Sequence, residues 1–153
     1  LSVRLATIGY EQATLAEVIG RLQAAGVQVV IDVRAVAASR RAGFSKTLLG
    51  ASLAAAGIDY VHLRALGTPK AGRQAARAGR VQEMHEIFEA HMNEPDAQLA
   101  LDEAGEIAAA RPAALLCYEA DAAGCHRRIL AERLRERLGI EIVDLRPTAS
   151  ACA

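Results

Sequence analysis

Residues 113–138 read AALLCYEADAAGCHRRILAERLRERL, and this stretch decides the fold. Residues 113–117 form a short apolar run, the pattern of a strand buried on both faces. Residues 127–138 alternate leucines with charged side chains at helical spacing, and Gly139 stops the run. Between them lies a polar turn, CYEADAAGCHRR over residues 117–128, with two cysteines, a glutamate, a histidine and two arginines. A buried strand that passes through a turn into a helix is half of a βαβ unit.

The same alternation runs outward through the chain. Residues 3–8, 27–33, 58–63 and 140–145 are further strand-like runs, β-branched and mostly continuous. Thr14 caps a helix and Glu17 completes a capping box, with Leu15, Val18, Ile19 and Leu22 on one face and a stop near Gly26. Residues 46–56 read as a helix ended by Gly57. Residues 79–92 repeat apolar side chains at Val81, Met84, Ile87, Phe88 and Met92; Pro95 follows, and residues 97–110 form another helix. A helix over residues 125–138 precedes the last strand. The order predicts one α/β domain over residues 1–146: a mainly parallel sheet of about five strands with helices on both faces, Rossmann-like but without a dinucleotide fingerprint. Residues 147–153, PTASACA after Arg146, read as a flexible tail in which Cys152 is incidental.

Composition narrows the function. The chain has 153 residues and is 52% hydrophobic, enough for one core. Three cysteines are too few for a disulfide scaffold. Net charge is zero, so no global field draws in nucleic acid or membrane. No apolar run approaches the ~18 residues of a membrane span, and no signal-peptide pattern is present, so a cytoplasmic location is expected. The charge is nevertheless uneven. Residues 33–81 carry nine Lys and Arg against one acid, Asp59, and residues 82–110 carry eight acids and no Lys or Arg. Either these are two solvated faces that pair partly with each other, or the basic part rims a site for an anion.

In parallel sheets, ligands bind beyond the carboxyl ends of the strands. The polar groups at those ends are Gly9, Tyr10 and Glu11; Asp32 and Arg34; His62, Arg64 and the Leu66-Gly67 turn; and Cys117, Tyr118 and Glu119. A thiol at a helix start beside Arg127, Arg128 and His126 is favoured as thiolate, so Cys125, with Cys117 near it, is the candidate nucleophile or redox group. Asp32 and Glu119 are candidates to move protons. Arg34, Arg40 and Arg127 are candidate anion clamps, with Ser39, His126 and Tyr10 completing the pocket. Asp32 and Arg34 point to the same side of a strand and equally read as an internal ion pair. Cys117 equally reads as a core cysteine, and Glu119 as an anchor for an arginine. The segment PKAGRQAARAGR, residues 69–80, puts Arg73, Arg77 and Arg80 on one face if helical; its proline and glycines equally suit a mobile lid.

The motifs TIGYE, DVR followed by Ser39-Arg40 and Phe44, GIDYVHLRALG and CYEADAAGCHR occur in this order from about residue 5 to residue 146. Together they resemble the uncharacterised domain-of-unknown-function family 488. The resemblance implies an α/β domain with a shared site and brings no reaction with it. Ala37 and Ala38 stand where the family usually has a proline, and Thr68 where it often has a second glycine, which implies a less rigid loop after Arg34.

Several chemistries are disfavoured. Positions five and six after each thiol hold Ala122, Ala123, Leu130 and Ala131, so the phosphatase and rhodanese loops are absent. No Walker loop or dinucleotide fingerprint is present, so NAD and ATP in their common binding modes are not expected, and the cofactor is left unknown. Cys117, Cys125 and His126 offer three zinc ligands at a non-standard spacing; adjacent Cys125 and His126 ligate together without strain only if the helix starts between them. No metal is assigned to the site on this basis. His85 and His91 lie off the i, i+4 register and read as helix-face residues.

The expected function is a small thiol-dependent transferase or hydrolase acting on an anionic, phosphate-bearing substrate such as a nucleotide or a nucleic-acid-derived molecule. A non-catalytic anion or nucleic-acid binding module is one alternative, and a metal-dependent hydrolase at the same turn is another.

Overall fold

A computed structural model describes residues 4–120 and 125–147. Residues 148–153 of the expected tail, Cys152 among them, and residues 121–124 of the turn lie outside the described residues.

The strands are β1 (Arg4–Gly9), β2 (Val29–Asp32), β3 (Asp59–His62), β4 (Ala113–Cys117) and β5 (Glu141–Leu145). They form one sheet in the order β3-β2-β4-β1-β5, with every pairing parallel. The helices are α1 (Leu15–Ala24), α2 (Lys46–Ala55), α3 (Lys70–Arg77), α4 (Val81–His91), α5 (Pro95–Ala110) and α6 (His126–Leu138). The expected α/β class is therefore found, with an entirely parallel sheet.

The order of strands explains the layering. Right-handed crossovers send connections that run in opposite directions to opposite faces of a sheet. From β1 to β2 to β3 the chain moves toward one edge, and α1 and α2 cover one face, packing Val18, Leu22, Leu49 and Leu53 on Ile8, Val30 and Leu116. From β3 to β4 to β5 it moves back, and α3 to α6 supply the other face, with Met84, Phe88, Leu101, Leu130 and Leu134 in one cluster with Leu5, Ile31 and Leu115. Every residue of β2 and β4 is buried, as their continuous apolar sequences require.

Local signals account for most element ends. The Thr14–Glu17 capping box is formed in both directions. Gly139 adopts a left-handed conformation after α6. Pro95 opens α5 rather than preceding it at a distance, because a proline at the first helical position forfeits no intrahelical hydrogen bond. The basic segment forms a helix of its own, α3, packed through buried Gly72 and Ala75.

Chain connections leave β2 and β4, which are neighbours, in opposite directions. A crevice opens at such a switch point, outside the carboxyl ends of the strands. The loop after β2 forms one wall and is closely held. Ser39 and Ser45 exchange hydrogen bonds, Lys46 N donates to the Ala37 carbonyl at 2.8 Å, and the Arg41 guanidinium donates to the Ala13 carbonyl. Gly67 is pressed against this loop: a Cβ there would fall 2.2 Å from the Ala35 nitrogen.

Candidate functional site

At the carboxyl edge a cleft of about 710 Å³ is lined by Tyr10 and Glu11 after β1, Arg34 to Val36 and Ala38 after β2, Thr68, Arg73, Ala76 and Arg77 at α3, Met84 of α4, Cys117 to Glu119 after β4, and His126 of α6. A second hollow of about 530 Å³ lies at the amino ends of the strands. It is lined mainly by alanine and aliphatic side chains with Arg4, Arg21 and Arg111, and holds none of the groups expected to do chemistry.

The parallel register builds the floor. Gly9 pairs with Cys117, and the pairing continues past both strands, with Tyr10 N on the Cys117 carbonyl and Glu11 N on the Tyr118 carbonyl at 2.8 Å. A Cβ at Gly9 would lie 1.6 Å from the Glu119 carbonyl oxygen, so only glycine lets the two chains approach this closely. Glu11 returns the contact by accepting from Ala120 N at 3.1 Å.

Arg127, with no exposed surface, reaches back from α6 under this loop. Its Nη1 donates to Cys117 Sγ at 3.0 Å and to the Glu119 carbonyl, and its Nη2 to the Ala120 carbonyl. Once the disulfide is reduced, a guanidinium in hydrogen-bond contact with the freed sulfur favours its thiolate. Arg128, the other arginine expected near the thiol, instead turns to Asp144.

Cys125 is the N-cap residue of α6, in an extended conformation, and is fully buried. Its sulfur forms a disulfide with that of Cys117 across the turn, the two Cα atoms standing 7.8 Å apart. Of the two, Cys117 lines the cleft.

His126 donates from Nε2 to the Val33 carbonyl at 2.7 Å, since a carbonyl can only accept. The remaining ring nitrogen, Nδ1, lies 3.6 Å from Cys125 Sγ. Burial, with Arg127 nearby, lowers the His126 pKa to about 4, so the ring is neutral at pH 7. Cys117, Cys125 and His126 bring their ligand atoms within 4.8 Å of one another. Glu119 is half-buried, and burial raises its pKa against the opposing influence of Arg127.

Asp32 and Arg34 form a buried ion pair at 2.7 Å. Arg34 Nε spans both carboxylate oxygens, and its Nη1 donates to the Tyr10 hydroxyl and the Phe44 carbonyl. Burial works against the charge of Arg34, and the Asp32 carboxylate outweighs it, so the guanidinium stays protonated. Tyr60 donates to Asp32 at 2.5 Å, and the ring of Tyr10 stacks on Phe44. His62 donates to the Arg34 carbonyl.

The cleft therefore gathers Cys117, Glu119, Arg34, His126 and Tyr10 from the expected set. Cys125, Asp32 and Arg127 lie directly behind them, in contact with lining residues. Ser39 is tied into its own loop, and Arg40 is exposed and outside the lining. Arg73, Arg77, Glu11 and Thr68 enter the site beyond that set. The signal for the two arginines was the i, i+4 spacing on α3; Arg80, expected on the same face, instead lies beyond the end of α3 at the start of α4 and pairs with Glu83. That pair is the one ion pair among the described residues between the basic and acidic segments. Glu89 and Asp102 instead pair with Arg133 and Arg137 of α6.

The family model described as "Domain of unknown function DUF488" matches residues 14–134, well over half of the chain. The chain belongs to the DUF488 family. The resemblance read from the motifs is thereby borne out. A search of curated proteins and of solved structures finds no match. Within this DUF488 domain the matched segment holds both cysteines of the turn, Glu119, His126, the Asp32–Arg34 pair and the α3 arginines; Tyr10 and Glu11 precede it. Among the described residues, no helix is long and apolar enough to cross a membrane.

Proposed function

We propose that this DUF488 domain is a thiol-dependent transferase or hydrolase whose substrate carries phosphate or a comparable anion. The observation that carries the reading is the 3.0 Å contact from Arg127 Nη1 to Cys117 Sγ at the back of an arginine-lined cleft. Cys117, rather than Cys125, takes the nucleophile's role because it faces the cleft. In the reduced protein its thiolate attacks the electrophilic centre of the substrate, forming a bond through sulfur. The leaving group departs with its electron pair and takes a proton from Glu119, whose protonated form burial favours. Water or an acceptor alcohol then attacks the adduct and gives its proton to Glu119, and the thiolate is released. Arg127 is a positioning residue for the thiolate, and the Asp32–Arg34 pair holds the Tyr10 wall.

Arg73 and Arg77 supply the anion site. No ion pair among the described residues involves either, and Arg73 donates only to the Thr68 carbonyl. Tyr118, 45% exposed and edge-on to Tyr10, offers a ring for a nucleobase at the same cleft. That ring favours nucleotides or nucleic-acid-derived molecules among anions. The proposed chemistry needs both sulfurs reduced, and on that ground we propose a location in the reducing cytoplasm.

Protection of Cys117 from alkylation by a panel of nucleoside mono-, di- and triphosphates, with inorganic phosphate and uncharged nucleosides as controls, tests this reading. Protection by phosphate-bearing ligands that is lost in Arg73→Gln/Arg77→Gln is the expected result. Equal protection by uncharged nucleosides, or none by any anion, contradicts it. Salt-sensitive anion binding retained in Cys117→Ser, together with no turnover by the wild type, would point to the binding-module alternative.

A further inference from the structure

We infer that the reduced Cys117, Cys125 and His126 cluster is a binding site for one thiophilic divalent cation, Zn²⁺ above all, with a fourth coordination position open to the cleft. The helix begins between the two adjacent residues. Cys125 is the extended N-cap and His126 the first helical residue, so their side chains leave the backbone in different directions and converge without strain. The separation of Cys125 Sγ from His126 Nδ1, 3.6 Å, is that of two ligands on one tetrahedral zinc, for which bonds of about 2.3 Å to sulfur and about 2.0–2.1 Å to nitrogen give roughly 3.6 Å.

The second coordination layer is already in place. Zinc-bound histidines donate their other ring nitrogen to a carbonyl or carboxylate, and His126 Nε2 donates to the Val33 carbonyl, leaving Nδ1 as the free lone pair. Arg127 donates to Cys117 Sγ, the bond that steadies a thiolate ligand. The sulfurs of Cys117 and Cys125 already meet across the turn, so reduction of that disulfide leaves two thiolates side by side at the site. Cys117 and His126 both line the cleft, which leaves the fourth position facing it.

Binding forms two metal–sulfur bonds and one metal–nitrogen bond and releases to solvent whatever protons the two sulfurs still carry. The metal then draws charge off the Cys117 sulfur, so occupancy lowers its nucleophilicity reversibly. The inference shares with the proposed thiol chemistry its need for reduced sulfurs and the Arg127–Cys117 contact, and otherwise stands on the Cys125 and His126 geometry.

The test is anaerobic titration of the reduced Cys152→Ser protein, freed of reductant, with Co²⁺ and then Zn²⁺. The expected result is a sulfur-to-cobalt charge-transfer band and four-coordinate ligand-field bands that saturate at about one equivalent and vanish as Zn²⁺ displaces Co²⁺. His126→Asn is expected to weaken binding at least about tenfold, whereas His85→Asn leaves it unchanged. Absence of the charge-transfer band in the folded protein, or a band indifferent to His126→Asn, overturns the inference. Alkylation of the metal-free reduced protein is measured alongside. An acidified Cys117 without cobalt binding removes the metal site alone, and cobalt binding with an ordinary thiol removes the nucleophile alone.

Discussion

Arg127 donates from Nη1 to Cys117 Sγ at 3.0 Å, and it does so from a fully buried position on α6. The guanidinium also clamps the carbonyls of Glu119 and Ala120, so it fixes the thiol and the loop beside it together. Arg127→Lys keeps the charge and gives up the fork. The apparent pKa of Cys117 is predicted to rise by about one unit in this variant, with the melting temperature recorded to confirm folding. An unchanged alkylation profile would show that the contact does not tune the sulfur.

The Asp32–Arg34 pair is buried, Asp32 completely, so removing Arg34 leaves a buried, uncompensated carboxylate. Arg34→Met is predicted to destabilise the fold by about 3–5 kcal/mol in urea denaturation. The double variant Asp32→Asn/Arg34→Met should recover part of that loss. A double variant less stable than Arg34→Met would contradict the account of the pair.

Tyr60 gives a pH signature. Burial first, and then its hydrogen bond to Asp32, raise its pKa above the ordinary value near 10. Above about pH 10 the unfolded state releases this proton while the native state retains it, so the unfolded state binds fewer protons and stability falls as pH rises. Tyr60→Phe removes the group, and the fall between about pH 10 and 11 should be shallower in that variant. Parallel curves would rule out Tyr60 as its source.

Gly9 is required by the approach of two backbones, not by a turn. Gly9→Ala places a Cβ against the Glu119 carbonyl and is predicted to destabilise the fold and to alter Cys117 alkylation, because the 118–120 loop must move. Gly20, inside α1 with open space around it, is the control: Gly20→Ala should stabilise by about 0.5–1 kcal/mol. Equal effects at the two positions would argue against the close approach.

Particular residues show what the sequence made legible. Thr14 with Glu17, Gly139, and the runs at 27–33 and 113–117 are local signals, and each specifies an element within a few residues of its final bounds. Parallel alternation then sends Cys117, Glu119, Arg34 and Tyr10 to one edge, as expected. The placement of β4 between β2 and β1 carries no local signal, because it depends on which strands pair across long stretches of chain. That order decides which groups share the cleft. It makes Cys117 rather than Cys125 the lining thiol, brings the α3 arginines in and leaves Arg40 out. Spacing alone likewise could not tell whether Cys117 and Cys125 meet; the first turn of α6 settles it by bringing the sulfurs together.

The central claim is that Cys117 is an acidified thiol at the back of an anion-binding cleft. The pH dependence of its alkylation, followed by intact mass in the reduced, metal-free Cys125→Ser/Cys152→Ser protein, tests it most directly. An apparent pKa well below the ordinary value of about 8.5 is the predicted result. A value at or above about 8.5 in the folded protein would contradict the claim.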